Sequence, residues 1–132
     1  MALLKPYFDL NIEQPVGDPI IIPLRFKDSA GDPVDISAWD FWLTIKANYT
    51  DADSAALARL VPGDAGIVKS KDPSTLANEN RVDLVIESAA LASAVLDQEY
   101  YLDIQVDPGD SRPHTYAKGT YKPTWQATEA TP

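Results

Sequence analysis

Apolar and polar residues alternate in several short runs, which is the pattern of strands with one buried face. Phe8, Leu10 and Ile12 alternate with Asp9, Asn11 and Glu13, predicting a first strand. Ile20, Ile22, Leu24 and Phe26 share a face opposite Ile21, Pro23 and Arg25, predicting a second. Proline has no N–H to give a ladder, so Pro23 places that strand at a sheet edge or bulge. Phe41, Leu43, Ile45 and Ala47 form a third run, with Trp39 anchoring its start. Val82, Leu84 and Ile86 predict a central strand, Tyr100, Leu102, Ile104 and Val106 the next, and Thr115 to Trp125 a last, less cleanly patterned one.

The segments between these runs carry turn chemistry. KDSAGDPVD, Lys27 to Asp35, and DPGDSRP, Asp107 to Pro113, concentrate Asp, Gly, Ser and Pro and predict tight connections. DSAALARL, Asp53 to Leu60, and SAALASAVL, Ser88 to Leu96, read as brief helical connections, the first capped by aspartate and stopped before Pro62. Val61 to Asn80 reads as an exposed, mobile loop with one short strand at Gly66 to Lys69. Six to eight short strands with one or two short connecting helices predict an all-β fold, an immunoglobulin-like antiparallel β-sandwich. One domain is expected over residues 1–125, with a C-terminal tail at 126–132.

Composition narrows the function more than the fold. With 132 residues, 45% of them hydrophobic and 23% charged, the chain can bury a core without staples. A formal net charge of -9 disfavours nucleic acid and anionic lipid surfaces as partners. The absence of cysteine removes disulfides and thiolate metal sites. Met1 to Leu10 lacks the apolar core of a signal peptide, and no apolar run approaches the ~20 residues of a membrane span.

No nucleotide, hydrolase or zinc-protease motif occurs, so no catalytic, cofactor or metal residue is assigned and no enzyme is expected. The single histidine, His114, reads as a turn or solvent-facing residue. Asp28, Asp32 and Asp35 share a loop but lack the ligand order of a calcium hand, Asp51 and Asp53 read as helix caps, and Asp107 and Asp110 as turn formers. The more informative residues are apolar ones on the polar side of the alternation. Ile21, Trp42, Val85 and Tyr101 point away from the expected core and are the candidate partner interface, the alternative being ordinary apolar surface or residues covered by a loop.

The order of motifs resembles a phage family, the immunoglobulin-like domain at the amino end of upper baseplate proteins and in related small tail proteins. The residues that carry the resemblance run from Phe8 to Lys46 (FDLNIEQPVGDPIIIPLRFKDSAGDPVDISAWDFWLTIK), from Arg81 to Val106 (RVDLVIESAALASAVLDQEYYLDIQV) and from Lys118 to Trp125 (KGTYKPTW). Gln14 and Gly17 fit the family's Q-x-x-G turn. Asp28, Gly31, Pro33, Asp35 and Ile36 fit its hairpin pattern, and Lys46 ends its aromatic-to-I-K/R strand. Ala89 to Leu96, Tyr100 to Ile104 and Gly119 to Tyr121 fit its later small-residue turn, Y-x-x-D-I/L strand and closing G-x-F/Y strand.

The resemblance implies a structural virion protein of a tailed bacteriophage, assembled in the host bacterial cytoplasm. It would be a multi-copy or homo-oligomeric tail or baseplate adaptor or decoration that binds other phage structural proteins. The upper baseplate proteins continue past this domain into helical and receptor-linking regions without a counterpart here, so direct receptor reading is not expected. Capsid decoration remains an alternative. So does a carbohydrate-binding module, in which Trp39, Trp42, Tyr49 or Trp125 would stack on sugar faces.

Overall fold

Each alternating run is a strand, and from Leu10 onward the apolar positions of these runs pack in or against the core. The computed structural model describes residues 8–125; the expectations for the leader region and for the 126–132 tail lie outside the described residues. Eight strands are formed there: β1 (Phe8–Pro15), β2 (Ile20–Arg25), β3 (Asp40–Lys46), β4 (Ala58–Leu60), β5 (Ile67–Ser70), β6 (Arg81–Ile86), β7 (Tyr100–Asp107) and β8 (His114–Thr124). They make a larger sheet of order β1-β8-β7-β3-β4 and a smaller one of order β2-β6-β5. The inner faces meet in one core that includes Ile22, Phe41, Leu43, Leu84, Ile104 and Tyr121.

This is the immunoglobulin-like arrangement, a five-stranded sheet packed on a three-stranded one, with the neighbours in each sheet largely non-consecutive in the chain. At the corner before β7, the Val95 N–H donates to the Tyr100 hydroxyl at 2.8 Å, the tyrosine-corner bond of such sandwiches. As Pro23 predicts, β2 is an edge strand. The turn from β1 into β2 is braced by Gln14, whose Nε2 donates to the carbonyls of Asp18 at 3.1 Å and Pro19 at 3.0 Å.

Three expectations change. The sandwich is not wholly antiparallel, because β1 pairs parallel to β8, Phe8 opposite Ala117 through Pro15 opposite Thr124. Parallel neighbours cannot be joined by a hairpin, but these are the first and last strands and need no direct connection. DSAALARL is not a helix of one or two turns: it is one 3-10 turn at Asp53–Ala55 followed by β4. Ala58 and Leu60 are buried against β3 opposite Ile45 and Leu43, so pairing overrides alanine's helix propensity. No side chain caps that turn, and its flanking residue is Ala52. Asp51 accepts from the Asn48 N–H at 3.1 Å, and Asp53 forms ion pairs, so neither has the capping role.

The Val61 to Asn80 segment is also more structured than a free loop. Its strand, β5, pairs with β6 from Ile67 opposite Leu84 to Ser70 opposite Arg81. Lys69 reaches across to the connection before β3, donating to the Ser37 carbonyl at 2.8 Å and the Trp39 carbonyl at 2.7 Å. Trp39 is buried in an aromatic cluster with Phe26, the ring centroids 5.1 Å apart. A register shift between Ile104 and Gln105 in the β7–β8 pairing brings Tyr116 beside the same cluster, its centroid 5.2 Å from Phe26.

One core group is poorly matched. Tyr121 is fully buried and its hydroxyl has no hydrogen-bond partner among the described residues, and burial raises its phenol pKa. An unsatisfied buried hydroxyl costs about 1–3 kcal/mol. Tyr121→Phe is therefore expected to be neutral or to stabilise by up to about 1 kcal/mol in urea unfolding. A loss larger than that would show the hydroxyl to be satisfied in solution.

Candidate interaction surfaces

The four outward residues fall in two pairs on opposite outer faces of the sandwich. Ile21 on β2 lies directly opposite Val85 on β6 in the smaller sheet. Trp42 on β3 and Tyr101 on β7 lie on the outer face of the larger one, where Trp42 is opposite Gln105 and Lys46 opposite Tyr101. They belong to two surfaces, not to one patch.

On the smaller sheet, Ile21 is 59% exposed and Val68 on β5 is 45% exposed, with Val85 half-buried between their strands. Pro23 and Val68 face Asp83 from its two sides. One end of this apolar strip is bounded by charge: Arg81 bonds Asp83 at 2.9 Å, and Arg25 pairs with Asp72. The Arg25 bond holds the Asp72 carboxyl below its ordinary pKa. The alternation argument missed Val68, because a four-residue strand gives too short a pattern to define two faces.

The outer face of the larger sheet holds a groove of about 520 Å³ whose lining includes Thr44, Lys46, Tyr49, Tyr101, Asp103 and Lys118. The register builds it in two rows. Thr44, Asp103 and Lys118 stand side by side on β3, β7 and β8, and Lys46, Tyr101 and Thr120 form the next row. The Tyr49 ring stands edge-on to Tyr101, centroids 5.7 Å apart and planes at 81°. Lys46 is drawn toward the groove's rim: its ammonium donates to the Asp51 carbonyl at 2.8 Å and pairs with Asp53 at 2.8 Å. That bond keeps the Asp53 carboxyl below its usual range.

Asp103 is the unusual group here. Burial pushes its carboxyl pKa up, Lys46 opposes the shift and Asp53 adds to it, and no described residue donates a hydrogen bond to it. The sign is unfavourable to the ionised form: folding raises the pKa, so the penalty is absent at low pH, grows as pH passes the ordinary aspartate value, and is complete above the folded value.

The remaining acidic residues serve local backbone. Asp28 accepts from the N–H groups of Ala30 at 2.9 Å and Asp32 at 3.0 Å, and Asp35 accepts from both the N–H and the hydroxyl of Ser37. Asp107 and Asp110 accept from Gly109 and Arg112, as turn formers should. His114 lies 2.9 Å from Asp110 on the exposed side of that turn. Among the described residues no three His, Cys, Asp or Glu side chains converge on a position that could hold a metal ion. Of the tryptophans offered for sugar stacking, Trp39 is excluded by burial, Trp42 is half-buried, and Trp125 is 69% exposed.

No protein-family profile matches the chain, and no curated protein does. Among solved structures, extracellular domains 3–5 of Drosophila OTK are similar over 95% of this chain at 14% identity, with a TM-score of 0.30. This chain spans 35% of that structure's length.

Proposed function

We propose that this chain is a structural component of a tailed bacteriophage particle, a tail or baseplate adaptor or decoration module that binds neighbouring virion proteins in multiple copies. The observation that carries the binding part is the strip formed by Ile21, Val85 and Val68. Its apolar residues stand on one sheet face beside ion-paired arginines and aspartates, Asp83 lying between Pro23 and Val68, and apolar groups bordered by paired polar ones are the anatomy of a protein interface. The sequence resemblance, which runs in segments from Phe8 to Trp125, supplies the particle as the setting.

Quantitative mass spectrometry of purified particles of the encoding phage, with heads and tails separated, tests this reading. The chain is expected in the tail fraction at fixed stoichiometry. Recovery with heads would replace the tail assignment by capsid decoration, and absence from both fractions would remove the virion role. Ile21→Asp, at a position already facing solvent, is expected to leave the fold intact and to lower incorporation at least tenfold, about 1.4 kcal/mol of binding.

A further inference from the structure

We infer that the groove on the outer face of the larger sheet, framed by Thr44, Tyr49, Tyr101, Asp103, Lys118 and Thr120, is a binding site for a neutral saccharide. The inference is independent of the virion reading, because it uses the other face of the molecule.

Three features select the ligand class. First, the groove lies over β3, β7 and β8, all of which have a neighbour on both sides. Their backbone groups are engaged in ladders, so a peptide cannot add as a strand, and recognition falls to side chains. Second, those side chains are the set that a pyranose uses: hydroxyls of Thr44 and Thr120, a carboxylate, an ammonium, and the Tyr101 ring, which is 42% exposed and held edge-on by Tyr49. An aromatic ring takes the C–H face of a sugar while polar groups bond its rim. The groove's volume of about 520 Å³ is within the usual range for small-ligand sites, roughly 300–1,000 Å³.

Third, the charges exclude the alternatives. A cation drawn to Asp103 and the tyrosines meets Lys46 and Lys118 in the same two rows, and an anion drawn to the lysines meets Asp103. A neutral polyol satisfies both kinds of group. Asp103 in particular is half-buried with no hydrogen-bond donor among the described residues, and a partly desolvated polar group gains from each hydroxyl that a ligand donates to it. Thr120 is already engaged, its hydroxyl donating to Asn11 Oδ1 at 3.0 Å, which leaves its oxygen as an oriented acceptor.

The test is a ¹H–¹⁵N NMR titration of the full chain with chitotetraose, cellotetraose and maltotetraose. At least one is expected to give saturable shifts centred on Thr44, Tyr101, Asp103 and Lys118, with Kd on the order of 1 mM for so shallow a site. Asp103→Asn and Tyr101→Ala should each weaken binding about tenfold or more. Thr44→Tyr, which fills the groove from β3 without touching the core, should abolish it. Asp103→Asn keeps the test decisive should Tyr101→Ala unfold, since for the fold it only removes a charge that burial disfavours. No saturation by any of the three sugars, saturable shifts elsewhere on the surface, or binding that survives both Asp103→Asn and Thr44→Tyr would overturn the assignment.

Discussion

Gly119→Ala is expected to destabilise the protein by about 3 kcal/mol or more and to release β1 from the sheet. Gly119 stands opposite Leu10 on β1 and Leu102 on β7. A Cβ added there would lie 1.8 Å from the Leu10 carbonyl oxygen and 2.5 Å from its carbonyl carbon. Those atoms are backbone, so no rotamer change relieves the clash, and the strand itself must move. β1 is an edge strand held by β8 alone, which makes its displacement the cheapest relief. The Tm should fall by roughly 10 °C or more. Amide exchange should rise in β1 while the β2–β6 and β3–β7 ladders stay protected. A stability within about 1 kcal/mol of the parent chain would show that β1 is not seated this closely against β8.

That close approach also marks what the sequence could not express. Period-two alternation located β2, β3, β6 and β7 because each buries one face against the other sheet, and burial alone sets that pattern. Alternation is blind to a strand's neighbours. Parallel and antiparallel pairing use the same side-chain period, so the β1–β8 contact was hidden, although Gly119 is its trace in a strand that otherwise carries side chains. Likewise alternation sets Ile21, Val85, Trp42 and Tyr101 opposite the core-facing positions of their strands, but that does not say from which sheet they face out. Only the pairing of Ile21 with Val85, and of Lys46 with Tyr101, divides them between two surfaces.

The groove on the larger sheet was less legible still. Asp103 occupies an ordinary polar position in an alternating strand, and its sheet neighbours, Thr44 on β3 and Lys118 on β8, are distant in sequence. Ala58 and Leu60 illustrate the opposite failure, in which a local signal was read and then overruled. The alanines of DSAALARL favour a helix by a few tenths of a kcal/mol each, less than is gained by burying Leu60 and pairing three residues with β3.

Asn80→Ala should be the most damaging polar substitution in the molecule, at about 2–4 kcal/mol. Asn80 is 2% exposed, the only buried polar residue among those described. Its side chain closes a two-bond ring with the backbone of Asp72: Oδ1 accepts from the Asp72 N–H at 2.7 Å, and Nδ2 donates to the Asp72 carbonyl at 2.8 Å. Its own backbone completes the junction, the N–H donating to Ser70 at 3.1 Å and the carbonyl accepting from Phe26 at 3.2 Å. The residue thus ties the end of β5, the connection after it and the chain beyond β2 to the start of β6. Alanine removes both side-chain bonds and strands two partly buried Asp72 groups. Amides from Lys71 to Glu79 should lose protection ahead of global unfolding, converting this connection into the mobile loop that its composition suggests. Asn80→Asp separates the two bonds by pH: at low pH the neutral carboxyl keeps an acceptor for the Asp72 N–H and an O–H donor for the Asp72 carbonyl, so it should stay closer to the parent than Asn80→Ala does, whereas ionisation removes the donor. At neutral pH it should cost more, because a buried carboxylate beside the Asp72 carbonyl is disfavoured. Equal urea midpoints for all three proteins would show that the junction is held by packing instead.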